Sequence, residues 1–237
     1  MLKQIIKKVA NIAGFYVIRH RDHETDLSWL RNRDIKTVFD IGANIGQFAE
    51  EVRRELPDAQ IYSFEPVKET HDALIKNFSG DKKFRAFNMG LGSRKENKEI
   101  KISAYSPSSS FLPQSKTLET VFPHTKEVGT QTVLVERLDD IWHQVGESRS
   151  GVLVKMDTQG FEAEIISGGK ACLSAATAVL IETSFVEIYS GQPLFDDIYQ
   201  LLRGLGFSYH GSLRVKRHPQ TGEVMFEDSI FMRDERP

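Results

Sequence analysis

The run Thr37-Val38-Phe39-Asp40-Ile41-Gly42-Ala43-Asn44-Ile45-Gly46-Gln47-Phe48, followed by Phe64-Glu65-Pro66, constrains this chain more than any other stretch. A short apolar run ending in glycine reads as a buried strand, and the glycines after it as a tight turn into a helix. The second segment reads as a strand that ends in a carboxylate. Strand, glycine turn, helix, strand and acid in that order open a doubly wound α/β sheet, in which ligands sit at the carboxyl ends of the strands.

The rest of the chain keeps the same rhythm. Lys36 to Ile41 is the first strand. Asn44 to Leu56 carries Ile45, Phe48, Ala49, Val52 and Leu56 on one helical face and stops before Pro57. Gln60 to Phe64, Lys68 to Phe78 and Phe84 to Met89 follow as strand, helix and strand. The beat lapses between about Ser93 and Glu136. Glu99 to Ala104 and Thr130 to Glu136 read as strands on alternation, and Tyr105 to Glu127 is a Ser- and Pro-rich loop between them. A loop of that length in a compact domain is a lid or a mobile segment. Gly151 to Met156, a helix from Phe161, Ala178 to Glu182 and the helix Phe195 to Leu205 restore the beat. Gly206 to His210 and Ser229 to Met232 are expected as antiparallel neighbours at one edge.

Glycine spacing selects the ligand. The dinucleotide fingerprint G-x-G-x-x-G, started at Gly42, meets Asn44 and Gln47 instead of glycines. The observed spacing is Asp40-x-Gly42-x-Asn44-x-Gly46, and Asn tolerates left-handed backbone. This is the pattern of class I S-adenosylmethionine-dependent methyltransferases. A carboxylate at Glu65 can accept hydrogen bonds from both hydroxyls of a ribose.

Further motifs occur in order: Ser108 to Phe111, Leu138-Asp139-Asp140, Val154-Lys155-Met156-Asp157-Thr158-Gln159-Gly160-Phe161-Glu162, Ile181-Glu182 and Tyr189 to Phe195. With the glycine run and Phe64-Glu65-Pro66, they resemble the FkbM family of methyltransferases over roughly Ile35 to Phe231. The resemblance implies the Rossmann-like class I methyltransferase fold: a doubly wound, mostly parallel seven-stranded sheet with one antiparallel edge strand. It also implies S-adenosylmethionine as cofactor and a hydroxyl of a sugar, polysaccharide, glycolipid precursor or other natural product as acceptor. The family commonly has Glu where this chain has Gln159. The segment after the third strand lacks the acid that many methyltransferases turn toward adenine, and the Asn88 amide or the backbone at Gly90 is the substitute.

The cofactor set is therefore expected to be Asp40, Gly42, Ala43, Asn44, Gly46, Phe48, Glu65, Pro66, Asn88, Gly90 and Asp157. Methyl transfer to a hydroxyl needs positioning and removal of a proton. Asp157, ending the fourth strand of the alternating pattern, is the leading candidate as base, acceptor ligand or contact to the cofactor's amine. Lys155 points to the same side and can hold that carboxylate ionised, unless it is a structurally paired lysine. Glu182 is a second candidate acid. None of the seven histidines sits in a diagnostic motif; His124, in the lid, is the one best placed to reach the site, ahead of His71 and His143. Asp139, Asp140, Asp157 and Glu182 offer oxygen ligands, but no spacing requires a metal and none is expected. The Ser108 to Phe111 segment is expected either to fold over the cofactor or to be a surface loop. Two other readings stay open: a catalytically silent binding module on this fold, and a nicotinamide-dependent oxidoreductase, against which the glycine spacing counts.

Composition excludes other classes. With 31 Lys and Arg against 33 Asp and Glu, nothing calls for a nucleic-acid partner. The single Cys172 rules out a disulfide framework and makes a reducing, cytoplasmic location the default. The chain divides into an N-terminal amphipathic segment, 1–31, and a methyltransferase domain, 32–237. In Met1 to His20, Leu2, Ile5, Ile6, Val9 and Ile12 recur at helical spacing among Lys3, Lys7 and Lys8. Such a helix either caps the domain or lies peripherally on the inner face of a membrane. The sequence leaves oligomeric state open.

Overall fold

A computed structural model describes residues 27–146 and 150–233. The helix expected over Met1 to His20 lies outside the described residues. In chain order the elements are β1 (Thr37–Ile41), α1 (Gln47–Glu55), β2 (Gln60–Phe64), α2 (Lys68–Asn77), β3 (Phe84–Phe87), β4 (Gly90–Gly92) and β5 (Glu96–Ser103). Then come α3 (Lys116–Val121), β6 (Glu127–Arg137), α4 (Leu138–Val145), β7 (Val152–Met156), α5 (Glu162–Gly168) and α6 (Lys170–Ala175). The last four are β8 (Ala176–Ser184), α7 (Phe195–Gly204), β9 (Phe207–Arg217) and β10 (Val224–Arg233).

Seven strands form one sheet in the order β3-β2-β1-β7-β8-β10-β9. β1 pairs in parallel with both β2 and β7, so the chain reverses its direction of progress across the sheet between β1 and β7. That gap is the topological switch point, where such sheets open a crevice for ligand. One strand runs against the others, as the sequence suggests. It is β10, antiparallel to both β8 and β9, and it lies one place in from the edge.

Burial explains the pattern. β7 is buried at every position, which suits a central strand covered on both faces. Successive side chains then serve two cores. Phe39, Ile41, Val154 and Met156 pack with Leu138, Ile165 and Ile198 on one face. Val38, Ile61 and Leu153 pack with Leu30, Phe48 and Val52 on the other. Each fully buried apolar side chain of this size contributes about 1.5–3 kcal/mol.

The structure differs from expectation in informative places. α1 begins at Gln47, not Asn44, because Asn44 and Gly46 take φ of 49° and 98°, incompatible with a right-handed helix. The third strand ends at Phe87, and Gly90–Gly92 joins β5 and β6 in a separate three-stranded sheet. This second sheet occupies the interval where the βα rhythm lapses. The Tyr105 to Glu127 loop contains α3, capped by the Ser115 hydroxyl accepting from the Leu118 N–H at 3.3 Å. No helix among the described residues is long and apolar enough to cross a membrane.

Candidate active site

A cleft of about 310 Å³ opens at the carboxyl ends of β1, β2 and β7. Its floor is the turn after β1. Gly42 and Ala43 both donate their N–H to the Phe64 carbonyl, at 3.1 and 3.0 Å, which ties the turn to the end of β2. Gly42 has φ 76°, and a Cβ there would collide with the carbonyl oxygen of Asp157. Only glycine lets β1 and the turn after β7 approach so closely. Gly46, which does not line the cleft, is required by packing: a Cβ would overlap the Phe78 ring.

Glu65 is buried at the lip of β2. Its Oε2 accepts the Asn44 N–H at 3.0 Å and its Oε1 the Val67 N–H at 2.9 Å. Burial pushes its pKa up to about 7 against those two backbone bonds. Pro66, Phe48, Asn44 and Gly90 line the same cleft. A Cβ on Gly90 would stand 2.8 Å from the Phe111 ring, so the glycine lets that ring pack against β4. Asn88 is elsewhere: its amide donates to the carbonyls of Glu65 and Pro66 at 3.0 and 2.9 Å, bracing the β2 turn from outside.

Asp40 also stands outside the cleft. It is fully buried on β1, directly across from Lys155 on β7 in the parallel register. Lys155 Nζ lies 3.4 Å from Asp40 Oδ1 and donates to the Gly42 carbonyl at 2.9 Å. Burial raises the Asp40 pKa, opposed by Lys155 and by the Ser63 hydroxyl. The Lys155 pKa is raised: burial opposes the charge, but Asp40 and Asp157 together outweigh it. The pair braces the glycine turn from beneath, and Lys155 alone reaches the cleft wall.

The acidic residues converge opposite the turn. Asp157 Oδ2 is 3.7 Å from Lys155 Nζ, and its Oδ1 accepts from the Gln159 amide at 2.6 Å. The same amide donates to Glu182 Oε1 at 3.3 Å. Tyr189, buried, donates its hydroxyl to Gln159 Oε1 at 2.7 Å and so fixes which way the amide faces. Gln159 thus stands as a neutral bridge between two carboxyl groups. The antiparallel register sets Asp228 of β10 beside Glu182 of β8, and Arg214 Nε pairs with Asp228 at 2.8 Å. Burial, then the charges of Asp157, Glu162 and Asp228, hold the Glu182 carboxyl well above the usual carboxylate range. The Asp228 carboxyl is also raised, by burial and by Asp157, against Arg214.

The 105–112 segment closes one side. Asn44 donates its amide to the Ser106 hydroxyl at 3.1 Å. Ser110, buried, donates to the Gln159 carbonyl at 2.6 Å, and Phe111 packs on Phe161 with ring centroids 4.8 Å apart. His124 lines an adjoining hollow rather than this cleft, while His71 and His143 line neither. Sequence reasoning missed Arg214, Asp228 and Tyr189. Arg214 and Asp228 lie just outside the two strands expected there, which extend further than their alternation suggests, and Tyr189 stands out only as the first residue of the Tyr189 to Phe195 motif.

The strand order, the single reversed strand inside the edge and the glycine turn at the switch point define the class I methyltransferase fold. The chain belongs to the FkbM methyltransferase domain family, whose model matches residues 40–209, and it is a methyltransferase. It is similar to the 2-O-methyltransferase NoeI of Sinorhizobium fredii, 27% identical over 199 residues, 77% of this chain and 81% of that protein. It is also similar to the methyltransferase sdnD of Sordaria araneosa, 26% identical over 208 residues, 78% of each. Among solved structures, an rRNA methylase from Streptococcus thermophilus overlaps with a TM-score of 0.47 at 11% identity, over 92% of this chain and 99% of that one.

Proposed function

We propose that this methyltransferase uses S-adenosylmethionine and methylates a hydroxyl oxygen of a sugar, a polysaccharide or glycolipid precursor, or another hydroxylated natural product. The observation that carries the cofactor reading is Glu65: a buried carboxyl, held by two backbone N–H groups, at the lip of a cleft floored by Gly42. Gly42 and Gly90, where a Cβ would meet the Asp157 carbonyl and the Phe111 ring, let the turn after β7 and Phe111 close in to form the walls of that cleft. Glu65 would hold the ribose hydroxyls, with Gly42, Ala43, Asn44, Phe48, Pro66 and Gly90 around the ligand and Asp157 near its amino-acid end. When bound, the cofactor supplies a methyl carbon activated by its sulfonium. Asp40, Gly46 and Asn88 act indirectly, by shaping the two turns.

On the acceptor side, Asp157 takes the proton from the hydroxyl, at Oδ1 or Oδ2. Lys155 Nζ, 3.7 Å from Asp157 Oδ2, pairs with that carboxylate and holds it at the mouth of the cleft. Glu182, whose carboxyl pKa is raised by burial and by Asp157, stands beside Asp157 across the Gln159 amide and hydrogen-bonds to the acceptor's neighbouring hydroxyl. General-base assistance of this kind is worth about 10²–10⁴-fold. The 2-O-methyltransferase named above supports an oxygen acceptor. The domain division at residue 32 is part of this proposal, with the N-terminal segment either capping the domain or lying on the inner face of a membrane.

Calorimetric titration of the purified chain with S-adenosylmethionine, S-adenosylhomocysteine and NAD tests the reading. Micromolar binding of the first two and none of NAD is expected. Silence with all three would sink the cofactor assignment. Binding without methylation of any hydroxylated acceptor would favour the silent-module alternative.

A further inference from the structure

A second hollow, of about 630 Å³, adjoins the first and shares Tyr105, Pro107, Asp157, Gln159, Glu182, Arg214 and Asp228 with it. The two meet at the cluster assigned above to proton removal. An acceptor must present its hydroxyl at that junction, so the rest of the acceptor has to occupy the second hollow. That placement rests on the cofactor lying in the first cleft, as proposed above.

The two ends of the second hollow differ in chemistry. At the junction stand Asp157, Gln159, Glu182 and the Arg214–Asp228 pair, groups that hydrogen-bond to hydroxyls. Away from it the apolar side chains of Leu118, Phe122, Ile188, Leu213, Val215 and Phe226 form a continuous part of the wall, with His124, Lys216 and Glu227 among them. Leu118 and Ile188 belong to a small apolar cluster separate from the two main cores, so this wall is not simply the inner edge of the domain core. Val215 is 42% exposed despite being aliphatic. The polar side chains at the outer end are engaged with protein. Glu227 accepts from Tyr209 and Ser229, His124 is edge-on to Tyr105, and Lys216 lies 5.4 Å over the Phe122 ring. The volume is within the range of sites that enclose molecules larger than one sugar ring.

We propose that the second hollow binds an amphipathic acceptor: a hydroxylated head at Asp157 and Glu182, joined to an apolar body that lies on Leu118, Phe122, Val215 and Phe226. The acceptor is thus a conjugate of a hydroxylated head with an acyl, isoprenoid or aromatic group, not a free sugar. Burying one methylene is worth about 0.8 kcal/mol, close to fourfold, so burying only two discriminates by at least about tenfold.

The test uses the full chain saturated with S-adenosylhomocysteine and two probes, octyl glucoside and methyl glucoside, titrated below the critical micelle concentration. Octyl glucoside is expected to bind at least about tenfold tighter. Val215→Asp, at a half-exposed position, should remove that preference while leaving S-adenosylhomocysteine binding unchanged. Equal affinities, no binding of either probe, or a preference untouched by Val215→Asp would overturn the proposal. S-adenosylhomocysteine failing to bind, with the octyl preference and its loss in Val215→Asp intact, overturns the cofactor reading alone.

Discussion

Glu65 offers the sharpest test of the cofactor site because its protonation is tied to its burial. In the free protein its pKa stands at about 7, so at pH 6 about 0.9 of the carboxyls carry a proton and at pH 8 about 0.1. Two ribose hydroxyls are best accepted by the ionised carboxylate, so ligand binding must expel that proton. The sign follows: affinity rises as pH rises through 7, and falls about tenfold per unit well below it. Wild type should release about 0.9 proton per ligand at pH 6 and about 0.1 at pH 8 beyond whatever Glu65→Gln releases, since the variant carries the ligand's own ionisations but not this one. Glu65→Gln should also weaken binding at pH 8 by about 1–3 kcal/mol, roughly 5- to 150-fold, through loss of charge-assisted hydrogen bonds. The assay is calorimetry with S-adenosylhomocysteine in two buffers of different ionisation enthalpy. Identical proton release in wild type and variant across pH 6–8 would refute the assignment of Glu65 to the ligand. The same raised pKa has a cost without ligand. The neutral form is the one the fold favours, so Glu65 should subtract from stability as pH rises from about 4.5 towards 7.

Gly42→Ala should abolish S-adenosylhomocysteine binding and lower stability by more than about 1 kcal/mol in urea unfolding, because its φ is positive and the new Cβ meets the Asp157 carbonyl. Lys155→Met leaves Asp40 buried beneath the turn without its cation and should cost about 3–5 kcal/mol. Because Asp40 can then escape only by protonation, that loss should be larger at pH 8 than at pH 5, again by urea unfolding. Gln159→Glu sets a third carboxyl between Asp157 and Glu182; its Tm should fall more steeply than wild type as pH rises from 5 to 8, and an unchanged pH dependence would show that the bridge is not electrostatic.

What the sequence made legible was local. Gly42, Gly46 and Asn44 announce a turn through their backbone tolerance, and Glu65 and Asp157 follow because strand ends in such a sheet face the crevice. The roles of Asp40 and Asn88 were harder to see. Two residues before Gly42, Asp40 shares its side of the strand but sits one step deeper, where Lys155 claims it. Asn88 lies past the point where the chain leaves the main sheet for the second one, so its amide braces the turn from outside. Asp228 and Arg214 come from a long hairpin whose register depends on pairing with β8, a contact no local pattern encodes. Gln159 is conspicuous in the motif, yet its function as a bridge needs Tyr189, thirty residues away in sequence.

The position of β10 carries a consequence for how the protein comes into being. Because Val224–Arg233 inserts between β8 and β9, a nascent chain that has not yet delivered Val224 has two exposed sheet edges and no Asp228. The β9–β10 pairing is a local hairpin, but β10 can join β8 only after Val224 and the strand behind it have emerged. The acidic cluster is complete only once β10 has paired with β8, and a ribosome-bound fragment can carry the glycine turn and Glu65 while lacking Asp228 to finish the acceptor side. Synthesis itself keeps the two halves of the reaction apart until the sheet is sealed.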